Sequence, residues 1–434
     1  MIFKFKKEIT MNELSRRKFL KTTAAGIAVP SAFLAATRKG LAAPSERVRM
    51  AVIGVGGQGS NHAGDWAGMK ECELVAVCDV DPKHRNEVAK DTNSKPIEDY
   101  RRVLDDKSID AISIATPDHW HAPVALAALV AGKHVYVEKP CCHNIKEGQL
   151  LVKAAKEFGK CVQHGTQYRG KGDTIEGIRQ IREEGIIGDM LLVKAINHQR
   201  RGKIGRKPVT DPPAGVNYDL WLGPAPVHGF TENRWHYKWH WFWDYGTGDM
   251  GNDGVHQVDV ARWGVGQKFP KVALVSGGQL WYDDDHETPD TQTVVFEYDG
   301  CHLIFEMRLW TPYKLEGHDN GVIFYGTKGK MEIGRKGCHV IIDGNSQKIK
   351  GERSPDIKEN FIDCIKANDP SKLLAPIDEG FASAALCHIG NIGVRLGGAR
   401  LEYDGKNHRF IGNDEANKYI SRKYRKGYEL AYTG

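Results

Sequence analysis

Gly54-Val55-Gly56-Gly57-Gln58-Gly59 has the spacing of a glycine loop that lets a diphosphate approach the backbone. Gly54 permits a tight turn, Gly56 clears space for phosphates, and Gly59 lets a helix pack close to a strand. Gly57, Gln58 and Gly59 open that helix, and its free amides face the anion. Asp79 lies 25 residues after Gly54, at the end of a second apolar run. A carboxylate there accepts hydrogen bonds from ribose hydroxyls and repels a 2′-phosphate, which favours NAD over NADP. Lys83 and Arg85 lie nearby and pull the other way. Thr116, Pro117, Glu138 and Lys139 also sit at the carboxyl ends of apolar runs, where doubly wound sheets place their ligands. His119 and His121 follow the first of these ends and read as helix-entry or packing residues.

The elements that must position these groups follow from the hydrophobic pattern. Residues 48–53, 74–78, 111–115 and 161–164 read as buried strands. A helix over 145–158 is expected to bury Leu151, Ala154, Ala155 and Phe158. Together these predict a parallel, doubly wound dinucleotide-binding domain over 44–165. From 291 the pattern changes. Leu303, Phe305, Met307 and Leu309 alternate with His302, Glu306 and Arg308, and 291–298, 321–325, 330–333 and 338–342 look similar. This predicts an α+β second domain over 166–434 with a large, mostly antiparallel sheet. The fold class is α/β.

Composition limits the alternatives. The chain has 434 residues, a net charge of +6 and 41% hydrophobic residues. Residues 1–43 alone hold nine Lys/Arg and two Asp/Glu, so the remaining body carries −1 and is no general nucleic-acid binder. Ser15-Arg16-Arg17-Lys18-Phe19-Leu20-Lys21, an uncharged stretch over 22–37 and a small-residue end at Leu41-Ala42-Ala43 form a signal-peptide layout. The twin arginines resemble a Tat signal. Export to the periplasm, with no membrane insertion after processing, is the expectation. The nine cysteines contain no CxxC pair and are expected to be buried, free thiols.

Taken together, Gly54/Gly56/Gly59, Thr116-Pro117 with His121, Gly132-Lys133-His134 and above all Glu138-Lys139-Pro140 resemble the glucose-fructose oxidoreductase / inositol dehydrogenase / MocA (Gfo/Idh/MocA) family over roughly 47–400. The resemblance implies that Lys139 is the catalytic lysine and that Glu138-Lys139-Pro140 bridges nicotinamide and substrate. It also implies a catalytic histidine at His256, with an Asp four residues earlier. Here that position is Asn252, while Asp253 and Asp259 lie three residues to either side of His256. An Asn can orient a neutral imidazole or bind a hydroxyl, but it cannot balance an imidazolium.

Seven aromatics fall in eleven residues: Trp235, Tyr237, Trp239, Trp241, Phe242, Trp243 and Tyr245. Such rings serve equally as a sugar platform or a core plug. Trp239, Trp243, Tyr168, Arg169, Asp253 and His256 are the candidate substrate contacts. No metal-ligand set is expected, because HExxH is absent and Asp283-Asp284-Asp285-His286-Glu287 reads as a solvated loop. The expected activity is oxidation of a hydroxyl on a sugar, glycoside or cyclitol by a homo-oligomer with tightly held NAD. Two alternatives remain: a redox-assisted, NAD-dependent glycosidase and a non-catalytic sugar-binding protein.

Overall fold

The structure is a computed structural model and describes residues 47–434. The Tat-type motif and the stretch that follows it lie outside the described residues. Strands β1 (Val48–Ile53), β2 (Cys72–Cys78), β3 (Lys95–Ile97), β4 (Ala111–Ile114), β5 (His134–Val137) and β6 (Val162–His164) form one parallel sheet in the order β3-β2-β1-β4-β5-β6. Its central strands are buried on both faces, which is why β1 and β4 read as continuous apolar runs rather than alternating ones. The strand order reverses between β1 and β4, and a crevice opens beyond their carboxyl ends.

The helix Ile145–Phe158 buries Leu151, Ala154 and Ala155 and packs against helices Asp118–Val130 and Ile377–Arg395. Phe158 does not join them. It is an exposed residue on the last turn and meets Tyr432 edge-on, 5.8 Å between ring centres.

The second sheet has ten strands: β7 (Met190–Asn197), β8 (Val272–Gly278), β9 (Thr291–Tyr298), β10 (Cys301–Arg308), β11 (Asn320–Gly326), β12 (Lys330–Gly334), β13 (Gly337–Ile342), β14 (Asn345–Lys348), β15 (Ala399–Asp404) and β16 (Arg409–Phe410). Their order is β14-β13-β12-β11-β7-β10-β9-β8-β15-β16, antiparallel apart from the parallel pair β7/β10. The alternation in β10 turns Leu303, Phe305 and Met307 inward. Helices Val255–Val265 and Ile377–Arg395 cover this inner face. Glycines let them sit close: a Cβ on Gly264 would lie 2.2 Å from Phe324.

Helix Ile377–Arg395 is buried nearly all round, because it packs on this sheet and also against helix Ile145–Phe158. All nine cysteines are buried and free. Among the described residues no helix is long and apolar enough to cross a membrane.

Candidate active site

The glycine loop behaves as its spacing predicts. Gly54 has φ +82°, and a Cβ there would sit 2.7 Å from the Thr116 amide. A Cβ on Gly59 would strike the Gly54 carbonyl at 1.7 Å, so helix Gln58–Gly68 approaches β1 as closely as only glycine allows. Gly57 has no neighbour within 4 Å of an added Cβ.

At the end of β2, the Asp79 carboxylate accepts hydrogen bonds from the Val55 amide (2.8 Å) and the Asp81 amide (2.9 Å). Each oxygen keeps a lone pair for a ribose hydroxyl. The crevice between these groups is a cavity of about 990 Å³ lined by Gly54, Gly56, Gln58, Asp79, Thr116, Pro117, His121, Glu138 and Lys139. Its size, its glycine cradle and its acid suit a dinucleotide.

Glu138 and Lys139 leave the end of β5 in opposite roles. The buried Glu138 carboxylate lies 3.0 Å from His62 Nε2. Burial is the largest single influence and opposes its charge, but His62 together with Lys139 holds the carboxyl down at about 2. On the other side of the His62 ring, Ser113 Oγ stands 2.9 Å from Nδ1. Lys139 points into the cavity and donates from Nζ to the Asn252 backbone carbonyl (2.9 Å) and side-chain carbonyl (3.1 Å). The His121 ring lies between the carbonyl oxygens of Thr116 (2.8 Å) and Pro140 (2.7 Å), tying the end of β4 to this turn. His119 packs away from the crevice, its Nε2 3.1 Å from the Trp221 carbonyl.

Asn252 therefore partners the lysine, not the histidine. Met250–Gly254 is a widened π-turn that leads into helix Val255–Val265. That breaks the four-residue register on which an Asn252–His256 pair depends. The Asn252 amide group donates to Asp249 Oδ1 (3.0 Å), and buried Asp249 also receives Asn197 (3.0 Å) and Arg201 (3.0 Å). His256 lines the cavity, and its buried Nδ1 has no partner among the described residues. Burial and the Lys139 ammonium pull this ring down to about 4. Neither neighbouring acid hydrogen-bonds it. Asp253 is held by Arg201 and by Gln199 (2.6 Å), and Asp259 by Arg169 (2.8 Å) and Ser383 (2.6 Å).

Residues 48–166 match the family model described as "Oxidoreductase family, NAD-binding Rossmann fold", and residues 173–430 match "Oxidoreductase family, C-terminal alpha/beta domain". The chain belongs to the Gfo/Idh/MocA oxidoreductase family. One similar relative is a "Glycosyl hydrolase family 109 protein" of Shewanella pealeana, 32% identical over 206 residues. That match covers 41% of this chain and 45% of the relative, so it spans less than half of the relative's length. Another is an "Inositol 2-dehydrogenase" of Rubrobacter xylanophilus, 28% identical, covering 67% of this chain and 72% of the relative. The solved WlbA dehydrogenase of Bordetella pertussis, a complex with NADH and UDP-GlcNAcA, shares the fold at 23% identity with a TM-score of 0.63, covering 82% of this chain and 99% of that one. The aldose-aldose oxidoreductase of Caulobacter crescentus does so at 17% identity and 0.64, with the same coverages.

Within this Gfo/Idh/MocA chain, several expected substrate contacts face elsewhere. Arg169 is buried in a two-pronged ion pair with Asp259, with Glu379 3.3 Å away; an internal guanidinium needs such partners, and it has no reach left for the crevice. Trp243 stacks against Arg395 (5.2 Å), outside the cavity. Asp253 is likewise outside the lining. Tyr168 borders the site only through His256, 6.5 Å between ring centres. The aromatic run divides: Trp241, Phe242 and Tyr245 are core, whereas Trp235, Tyr237 and Trp239 line the cavity beside His240. Asp284 is no solvated acid, since it anchors the Ile204 and Gly205 amides (2.7 and 3.1 Å).

Sequence reasoning missed His62, Asp118 and Asp249. Asp118 lines the cavity, accepts from Thr247 Oγ1 (2.6 Å) and is pushed up to about 7 by burial. The run Gly248-Asp249-Met250-Gly251-Asn252-Asp253 was visible, but nothing in its order separates Asp249 from Asp253.

Proposed function

We propose that the protein is an NAD-dependent oxidoreductase acting on a hydroxyl of a sugar, glycoside or cyclitol. The observation that carries this reading is the Lys139 ammonium in the crevice with the glycine loop and Asp79, one of its three N–H groups left free by Asn252. Gly54, Gly56, Gln58 and Asp79 would hold the dinucleotide. When bound, its nicotinamide supplies a hydride acceptor. The free Lys139 N–H would orient the reacting hydroxyl oxygen and stabilise charge that develops on it. The neutral His256 ring, which lines the cavity, would take the hydroxyl proton. Trp239 and Tyr237 would give the ring a flat apolar wall.

A second reading is the redox-assisted glycosidase, in which the same substrate is transiently oxidised and then re-reduced by the bound cofactor. The names of the glycosyl hydrolase relatives point the same way.

Export by a Tat-type route to the periplasm rests on Ser15–Lys21. There the cofactor would have to stay bound and be regenerated in each cycle. Self-association rests on the outer face of the large sheet, where Leu274, Val295 and Ile304 lie side by side.

Product analysis tests these readings. Net oxidation gives a ketosugar; the glycosidase reading gives released aglycone without net NADH. No product from any glycoside, sugar or cyclitol that binds would leave a binding protein instead.

A further inference from the structure

We propose that Asp81, His84 and His236 form a site for one divalent transition-metal ion of the zinc type, joining the start of helix Pro82–Thr92 to the aromatic segment beside the crevice.

Asp81 caps that helix: its Oδ1 accepts from the Lys83 amide at 2.8 Å. This fixes the carboxylate and leaves Oδ2 for other partners. Oδ2 lies 3.2 Å from His236 Nε2 and 4.0 Å from His84 Nδ1, and the three atoms all lie within 4.8 Å of one another. A hydrogen bond does not span 4.0 Å. A tetrahedral zinc ion sets its ligand atoms roughly 3.3–3.6 Å apart for bonds of about 2.0–2.2 Å, between the two separations seen here.

His84 Nδ1 is a buried ring nitrogen with no partner among the described residues. It sits against the glycine loop, 3.3 Å from where a Cβ on Gly56 would be. His84 follows Asp81 by three residues, so both face the same side of the helix start. His236 arrives from a different part of the chain with φ +53°, a conformation uncommon outside glycine.

Two imidazoles and one carboxylate select zinc-like ions over magnesium or calcium, which prefer all-oxygen sets. Three protein ligands leave a fourth position open. Both histidines also line the crevice, so a bound ion would pin Trp235–His240 beside the dinucleotide.

The test uses the full chain, stripped with a chelator and titrated with zinc chloride by calorimetry. One zinc per chain is expected, with micromolar affinity or tighter. His84→Ala and His236→Asn should each weaken it by at least about 100-fold. Asn tolerates the left-handed backbone at position 236, and Asp81 is left in place to cap its helix. His228→Ala, which removes a histidine paired with Asp244 outside the crevice, should bind as the parent does. No zinc uptake by the parent chain, or a loss below about tenfold in both crevice variants, overturns the proposal.

Discussion

Lys139 Nζ donates two hydrogen bonds to one residue, Asn252: to its backbone carbonyl at 2.9 Å and its side-chain carbonyl at 3.1 Å. Behind that contact, the Asn252 amide donates to buried Asp249 at 3.0 Å. Position 252 must therefore accept on one side and donate on the other, which an amide does and a carboxylate does only when protonated. Asn252→Asp would set two carboxyls about 3 Å apart, and they cannot both ionise. The variant should keep activity at low pH and lose it as pH rises, where the parent does not. Superimposable pH profiles of kcat/KM would contradict this.

Lys139→Met should lower kcat by about 10²–10⁴-fold, the range for loss of a group that stabilises charge and guides a proton. Thermal stability and NAD content should stay near the parent's, because among the described residues the Lys139 side chain hydrogen-bonds only Asn252. Equal turnover in both proteins would remove Lys139 from the reaction.

His256 is the group whose charge state should set the acid limb. Burial and Lys139 lower it to about 4, so the neutral ring persists well below the usual 6.5. Glu138, held at about 2, stays charged over the same range. The kcat/KM profile should fall only as pH drops through about 4. A limb near 6.5 would mean that the ring is solvated.

Asp118 should act on stability. Burial raises it from 3.8 to about 7, so the folded chain binds this proton more tightly than the unfolded chain. The folded state therefore loses stability through this group as pH rises from 3.8 to about 7, by roughly 4 kcal/mol at most. Asp118→Asn removes that loss. Denaturant curves for parent and variant should agree near pH 4 and separate by pH 8, with the variant more stable. Parallel behaviour across that range would contradict the assignment.

The glycine loop gives a graded series. Gly57→Ala should leave Tm unchanged, since an added Cβ meets no described protein atom within 4 Å. Gly56→Val should abolish nucleotide binding with little loss of Tm, because its nearest neighbour is the His84 ring and not backbone. Gly54→Ala should lower Tm, since it adds both left-handed strain and a backbone clash. Nucleotide released on denaturation, together with melting curves, separates the three.

The crevice was legible because local pattern encodes it: glycines between a strand and a helix, an acid at the end of β2, and Glu138-Lys139-Pro140 at the end of β5. The large sheet was legible from the alternation in β9 and β10. The polar wiring was not. Arg169 looked free in sequence because its partners, Asp259 and Glu379, are 90 and 210 residues away. Trp239 and Trp243 look equivalent in the aromatic run, yet one lines the cavity and the other covers Arg395. Asp249 became distinct from Asp253 only when a π-turn changed the register, a feature with no clear residue signature.

A seated dinucleotide is read directly from the nucleotide content of the full chain after extensive desalting, by mass spectrometry of the acid-released material, beside Gly56→Val prepared identically. Close to one NAD(H) per parent chain is expected, and none in the variant. A parent chain without nucleotide that also fails to take up added NAD at millimolar concentration would contradict it.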